Sequence, residues 1–446
     1  MLNPNSSPPS HRNLSRRLAE FTSSFRLEQA PVAVLENAKL AILDCLGVSV
    51  LATTQEIGER LRNFTLAHVG AGPCTIWGTE LKAGARDAAL LNGTLAHGLD
   101  YDDRNHSSTY TLAATFAVAE SSLATGRIAL EAFIVGREIR ASLDRLFSSR
   151  NAGIGPGARG WHSNGILGPI AAACAASKIL KLETEQTLSA IGLAAGSCGA
   201  LTRDGGTMAK PFRCGHAAAA GVTAALMAQQ GWTSDEEALE GRYGLLEAVG
   251  PLSESILDTL GSDLGIEWSL SQELRIKPFA SCTATHSGLE AMLRLVQRKQ
   301  IDPADVEEIE CDLKPYPLVR QRPARGFEGR FSMPFCLANA AVYARLAPED
   351  FTDARLAEAS IQNIIRRTVH RSGSEILTVT LKNGSKLSEP LQHPSNYCDL
   401  AQVSKKFVRS VSGVLSNEHA QSIMGHVAAM EEMSNLRPLT RLLQMN

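Results

Sequence analysis

The sequence predicts a mainly α protein, a large all-helical domain with a smaller α+β domain inserted into it. Three observations lead there. From about residue 14 to 265, nearly every stretch is rich in Ala, Leu and Gly, with apolar residues three and four apart. Near 270 the pattern changes to strand-like alternation and a hairpin signal. After about residue 400 it returns to helix, so the interruption reads as an insertion. A chain of 446 residues also exceeds what one ordinary core organises. The expected division is 14–268 plus 401–446 for the helical domain and 269–400 for the α+β domain, with 1–13 as a disordered tail.

In order along the chain, "RRLAEFTSSF", "PVAVLENAKLAILDCLGVSVLA" and "ARDAALLNGTLAHGLD" have helical periodicity. "GPIAAACAASKIL" and "GHAAAAGVTAALMAQQG" are richer in small residues and read as buried, closely packed helices. "TSDEEALEG" (233–241) offers a Thr N-cap followed by acids and reads as a helix start. "KPFASCTATHSGLEAMLRLVQRKQ" reads as a loop feeding a helix from around 283. "DVEEIECDLKP" alternates like a strand, and "ILTVTLKNGSKLSEPL" reads as a hairpin turning at Asn383-Gly384. Helical stretches lie between them at 333–346 and 352–368, and "SNEHAQSIMGHVAAMEEMSN" closes the chain as helix. No internal repeat is visible.

Bulk properties exclude several classes. Apolar residues make up 44% and charged residues 20%, a globular composition. A net charge of -2 gives no reason to expect nucleic acid or an anionic membrane as partner. No apolar run approaches the roughly 20 residues of a spanning helix, and the N-terminus lacks a secretory signal. The nine cysteines form no C-x-x-C pair, which argues against zinc ribbons and iron–sulfur motifs and points to a reducing, cytoplasmic compartment. The Ser-, Pro- and Arg-rich start, free of acids, is tolerable for a mitochondrial presequence, but a disordered tail is the simpler expectation.

Polar residues concentrate in five short stretches: 100–106 (DYDDRNH), 160–163 (GWHS), 204–216 (DGGTMAKPFRCGH), 277–286 (KPFASCTATH) and 329–335 (GRFSMPF). Each sits at the edge of an apolar segment, where a loop presents it to a cleft. Lys210 and Arg213 in a Gly-rich loop before a helix make a carboxylate or phosphate pocket. His106, His162 and His286 are acid–base candidates, because imidazole titrates near neutral pH. Such a set suits loss of water or carbon dioxide from a polycarboxylic acid, since nearby cations stabilise charge that builds up beside a carboxylate. The competing reading of an isolated histidine is a satisfied core residue. His97, His68, His370 and His426 fit it. Asp102 and Asp103 read as an N-cap or as salt-bridge partners. Asp-x-Asp-Asp-x-x-His could take a metal, but no His-x-x-x-His or Glu-x-x-His accompanies it, and no metal site is expected.

In this order and spacing, "NGTLAHGLDYDD", "HSSTYTLAATFAVAE", "GWHS", "GGTMAKPFRCGHAAAAG", "LEGRYGLL", "KPFASCTATH" and "GRFSMPF" resemble the MmgE/PrpD family over about residues 14–430. That family includes 2-methylcitrate dehydratase, cis-aconitate decarboxylase and iminodisuccinate epimerase. The resemblance implies an all-helical domain with an α+β lid, a homodimer, and neither metal nor organic cofactor. Carried over by position, the implied active site lands on Asp100, His106, His162, Lys210 and His286. Arg104, Arg213, Lys277, Ser332 and Phe335 are the substrate-binding candidates. Asp100 would orient or accept a proton, or hold a substrate hydroxyl. His106 and His162 would contact carboxylates or relay protons. Lys210 would stabilise an enolate-like state, and His286 would complete the site from the lid. Lys277 could instead merely mark the domain junction.

Three departures separate this chain from the family's decarboxylases: a shorter loop between Asp103 and His106, Arg104 in place of a threonine, and Phe335 in place of a lid tyrosine. An added arginine can grip an extra carboxylate. The first expectation is therefore a 2-methylcitrate dehydratase-like lyase. The alternatives are cis-aconitate decarboxylation, epimerisation or isomerisation of a related acid, and non-catalytic carboxylate binding on the same scaffold.

Overall fold

The computed structural model describes residues 13–147, 155–272, 274–299, 301–314 and 318–445. The expected tail, apart from Asn13, falls outside them. The chain is mainly α, with a helical body and a smaller α+β part in the C-terminal region. The body opens with α1 (Leu14–Ser24), α2 (Val32–Ala52), α3 (Glu56–His68), α4 (Ala85–His97) and α5 (Ser107–Ser122). It continues with α6 (Gly126–Leu143), α7 (Ser163–Leu180), α8 (Thr184–Ala195) and α9 (Ala209–Gln229).

α5 and α7 run through the centre, buried almost all round from 107 to 120 and from 164 to 179, which is why neither carries a continuous polar stripe. Small residues bring α7 onto α9. A Cβ added at Gly168 would lie 2.8 Å from the Ala217 Cβ, and one at Gly221 would lie 2.5 Å from that of Ala172. The expected contact along 170–176 is present. Of 216–220, only Ala217 and Ala218 are buried, and His216 faces outward. Ala218→Phe would overpack this seam and should cost roughly 1–3 kcal/mol, read as a lowered melting temperature. An unchanged one would refute the packing.

One helix crossing sets up everything that follows. α4 and α9 meet at Gly93 and Gly215: a Cβ at Gly215 would lie 2.1 Å from the Leu90 carbonyl oxygen, and one at Gly93 would lie 2.9 Å from Gly215 Cα. Only glycine permits that approach. It places the last turn of α4 beside the first turn of α9.

Several local expectations need correction. Residues 233–241 form turns, not a helix. The stretch is bounded by Gly231 and Gly241, too short to repay helix nucleation, and Asp235 uses its side chain to cap the Glu237 N–H locally. The helical half also contains a two-stranded antiparallel pair, β1 (Cys74–Thr75) and β2 (Lys82–Ala83). His68 and His370 are exposed and His426 half-buried, so none of the three is a core histidine. His68 lies in the last turn of α3, where the helix dipole favours a basic group.

The α+β part contains α10 (His286–Lys299), α11 (Met333–Tyr343) and α12 (Ala359–Arg367). They pack with a sheet of β3 (Val306–Cys311), β4 (Thr368–His370), β5 (Ile376–Leu381) and β6 (Lys386–Pro390), ordered β4-β3-β5-β6. β3 buries Val306, Ile309 and Cys311; Ile309 and Cys311 follow the alternation, and a register shift between Val306 and Glu308 interrupts it. The β5–β6 hairpin turns at Gly384, whose φ of +82° is the left-handed conformation the Asn-Gly signal anticipates. The chain then returns to the body: α13 (Leu400–Val411) packs along α2, followed by α14 (Asn417–Ala428) and α15 (Arg437–Leu442). Lys406 on α13 pairs with Asp44 on α2 at 2.7 Å, both nearly inaccessible. All nine cysteines are free, and no described helix is long and apolar enough to cross a membrane.

Candidate active site

The crossing at Gly93 and Gly215 brings His97, the last residue of α4, against Lys210 in the first turn of α9. His97 Nε2 lies 2.8 Å from Lys210 Nζ. An ammonium at a helix N-terminus opposes the helix dipole. A local rule broken in this way is characteristic of a functional position. Pro211 follows in the same turn, where its missing N–H is tolerated.

Gly98 ends α4, and the chain doubles back through residues 99–106 before α5 begins. Asp100 and His106 both have positive φ, 51° and 59°. Non-glycine residues there are uncommon and cost on the order of 1 kcal/mol or more. The loop is held from several sides. Asp103 Oδ1 accepts from the Asn105 N–H, and its Oδ2 accepts from the Ser108 N–H and pairs with Arg137 at 2.7 Å. Asp103 is thus both a cap of α5 and a salt-bridge partner. Arg104 N–H donates to the Arg275 carbonyl, and Asp103 bridges to Ile276.

Lys277 follows that bridge directly. Its Nζ donates to the Asp100 carbonyl at 2.9 Å and to Asp100 Oδ1 at 2.7 Å. Lys210 Nζ approaches the same Oδ1 at 3.0 Å. His106 Nε2 lies 3.4 Å from it and 3.5 Å from Lys210 Nζ. Asp102 bridges the two imidazoles, with Oδ1 3.0 Å from His97 Nδ1 and Oδ2 2.9 Å from His106 Nδ1. His106 is the most open member of this set, with a side chain 13% exposed, while His97 and Asp102 are sealed. Asp100 Oδ2 is buried and takes no hydrogen bond within the described residues.

His162 is the N-cap of α7. Its N–H donates to the Ala200 carbonyl, and Arg213 ties the adjoining stretch to α9 through the Leu201 and Lys210 carbonyls. The His162 Nδ1 accepts from the Asn164 N–H at 3.3 Å, which leaves Nε2 to carry the ring hydrogen. From the α+β part, His286 is buried with Nε2 3.2 Å from the Ser281 carbonyl. Phe331 places its ring 4.9 Å from Lys210 Nζ.

Burial shapes the charges. It pushes the Asp100 carboxyl up, but Lys210 and Lys277 outweigh it and hold Asp100 well below the usual carboxylate range. Asp102 is likewise lowered, because His106 and His97 overcome burial. Burial and the charge of Lys210 bring His97 down to about 3. Burial lowers His106 against the pull of Asp102. Burial, Arg213 and Lys210 hold His162 far below neutrality. Burial and Lys277 bring His286 to about 3. The two lysines diverge: burial lowers Lys210, whereas Asp100 outweighs burial at Lys277 and raises it. The arrangement thus holds neutral imidazoles beside ammonium groups on one carboxylate, a set able to move protons on an anionic molecule.

Asp100, His106 and Lys210 come together as the sequence suggests, and Lys277 joins them. Lys277 sits at the domain junction and also grips Asp100. No hydrogen bond or ring contact among the described residues joins Ser332 or Phe335 to the cluster. Ser332 caps α11, accepting from the Phe335 N–H and donating to the Gln321 carbonyl, and has no exposure. Phe335, in the first turn of α11, is buried against Phe351. The aromatic ring at the cluster is Phe331, just ahead of the cap. His97 and Asp102 were missed. His97 is a satisfied buried histidine, as its apolar surroundings suggest, but one of its partners is Lys210.

His97, Asp100, Asp102 and His106 offer donor atoms within 4.8 Å of one another. The set does not fit a divalent cation, because Lys210 occupies His97 Nε2 and two ammonium groups already compensate Asp100.

Residues 16–254 match the MmgE/PrpD N-terminal domain, and residues 279–432 match the MmgE/PrpD C-terminal domain. Among similar proteins, a cis-aconitate decarboxylase-like protein, oryM, of Aspergillus oryzae is 24% identical over 97% of this chain and 97% of its own. Cis-aconitate decarboxylase of Homo sapiens is 24% identical over 92% of this chain and 90% of its own. That of Aspergillus terreus is 22% identical over 96% of each. With family models covering most of its length, on either side of Lys277, the chain belongs to the MmgE/PrpD family.

Proposed function

We propose that the protein is a cofactor-independent lyase acting on a small di- or tricarboxylic acid by acid–base chemistry, and that it dehydrates a 2-methylcitrate-like acid. The observation that carries this reading is a pair of neutral imidazoles in opposite tautomers, His106 with Nε2 3.5 Å from Lys210 Nζ and His162 within reach of the Lys210 charge. Elimination of water needs one group to take the proton from carbon next to a carboxylate and another to protonate the departing hydroxyl. His106, with its hydrogen on Nδ1 toward Asp102, has an Nε2 lone pair to accept a proton. His162, with Nδ1 occupied, has an Nε2 hydrogen to give. Lys210 stabilises the enolate-like charge that develops between them. Asp100 Oδ2 is available to a substrate hydroxyl, Arg104 and Arg213 supply positive charge for carboxylates, and His286, on the α+β side, stands within reach of the charges of Lys277 and Asp100.

Decarboxylation of cis-aconitate is the second reading, favoured by relatives described as cis-aconitate decarboxylases. There the carboxylate leaves as carbon dioxide, and the electron pair left on carbon takes a proton from the same His162.

A proton NMR time course with 2-methylcitrate, citrate, cis-aconitate and iminodisuccinate, each in EDTA, separates these readings. Loss of water from 2-methylcitrate is the expected result. Itaconate formed from cis-aconitate with 2-methylcitrate unchanged would replace the first reading with the second. Inertness toward all four acids would overturn both.

A further inference from the structure

Two groups at the centre of the cluster have no role in the proposed chemistry, and neither reaches open space. Asp102 and His97 have fully buried side chains. Their contacts form a chain from His106 Nδ1 to Asp102 Oδ2 at 2.9 Å, from Asp102 Oδ1 to His97 Nδ1 at 3.0 Å, and from His97 Nε2 to Lys210 Nζ at 2.8 Å. An ionised carboxylate has no hydrogen to give, so each Nδ1 facing it carries one. Both imidazoles are therefore fixed with the lone pair on Nε2. That of His97 accepts from Lys210. That of His106 lies at the most exposed edge of the cluster, with Lys210 Nζ at a longer 3.5 Å.

We infer that Asp102 and His97 are positioning residues: Asp102 fixes the His106 tautomer that presents an Nε2 lone pair to the substrate, and His97 holds the Lys210 ammonium in place beside Asp100. The inference rests on the reading of His106 and Lys210 as reacting groups. Asp102 acts on both at once, because a single carboxylate spans the two rings. His106 is faced by the charge of Asp102, by Asp100 Oδ1 at 3.4 Å, by Lys210 Nζ at 3.5 Å, by the His97 ring at 4.2 Å between centroids, and at longer range by Lys277. Asp102 raises its basicity, and the two lysines lower it.

Asp102→Asn tests this without changing the size of the side chain. An amide accepts from one imidazole but offers hydrogens to the other, so one ring loses its bond or moves its hydrogen to Nε2. Long-range proton–nitrogen spectra of histidine-labelled protein read the tautomers directly, with His97→Gln and His106→Gln assigning the signals. The wild-type spectrum should show Nδ1–H on both rings. In Asp102→Asn, kcat on the acid turned over in the NMR panel should fall on the order of 10²-fold or more. KM should change far less, and the acid limb of the pH profile should move to lower pH, because His106 loses the neighbouring charge that favours its protonation. A wild-type His106 with its hydrogen on Nε2 would overturn the inference, with no variant needed. So would an Asp102→Asn enzyme with altered tautomers but unchanged kcat and pH limb. The tautomers are measured without substrate, so inertness toward every acid would count against the lyase reading and not against the Asp102 contacts.

Discussion

Replacing Lys210 by Met should cripple turnover, lowering kcat/KM by about two to three orders of magnitude, while the protein stays folded. The size follows from what Lys210 is asked to do: a cation aimed at charge that develops only in the transition state is worth on the order of 3–4 kcal/mol when removed. The fold should survive because Met keeps most of the stem volume and Asp100 retains Lys277 at 2.7 Å. Lys277→Met gives the contrast. Lys277 binds both the carboxylate and the backbone carbonyl of Asp100, a residue held at positive φ, and its side chain is 1% exposed. Its loss should destabilise the protein by roughly 3 kcal/mol or more, as breaking a buried ion pair does. Two lysines on one oxygen atom thus carry different burdens, which steady-state kinetics and melting temperatures can separate. A Lys210→Met enzyme within tenfold of wild type would remove Lys210 from the chemistry.

Much of the helical body was legible in the sequence because burial on all sides leaves a compositional mark, as in the Ala-rich run of α7. The hairpin was legible because Asn383-Gly384 specifies its own turn. Contacts made by residues far apart in the chain were not. His97 reads as one more histidine on an apolar helix until α4 and α9 cross at Gly93 and Gly215, and no spacing within 95–108 announces that crossing. Glycine pairs in two small-residue helices were the available signal. Ser332 and Phe335 show the other limit. "GRFSMPF" does mark a segment at the site, but Ser332 starts α11 and turns Phe335 into the core, leaving Phe331 at Lys210. A motif locates a segment, and the cap decides which of its side chains faces the cluster. Asp103 shows that cap and salt bridge were never exclusive, since a carboxylate has two oxygens and one of them can accept more than once.

The protein should lose stability on mild acidification, well before most of its carboxylates protonate. His97 and His286 are buried and neutral, each with a folded pKa of about 3, against about 6.5 in an unfolded chain. Below pH 6.5 the unfolded state binds protons that the folded state refuses, so acid favours unfolding. The stabilisation from neutral burial is complete above pH 6.5 and is lost progressively down to about pH 3. Each histidine contributes a slope of about 1.4 kcal/mol per pH unit, so by pH 5 the pair removes about 4 kcal/mol. Asp44 acts with the opposite sign. Burial raises it to about 6, so the folded state takes that proton more readily and regains about 1.4 kcal/mol by pH 5. These three groups alone give a loss of about 3 kcal/mol, a large share of the roughly 5–15 kcal/mol that holds an ordinary domain together, and His162 and His106, also lowered by burial, add to it with the same sign. Asp100 and Asp102, with lowered pKa values, contribute losses of the same sign only below about pH 4. The pH window therefore assigns the effect to the histidines. Melting temperatures from pH 8 to 4.5 should fall steeply below 6.5, and His286→Gln should lower the value at pH 8 but flatten the slope. A wild-type melting temperature that stays level between pH 7 and 5 would mean that these two imidazoles are free to take protons in the folded protein.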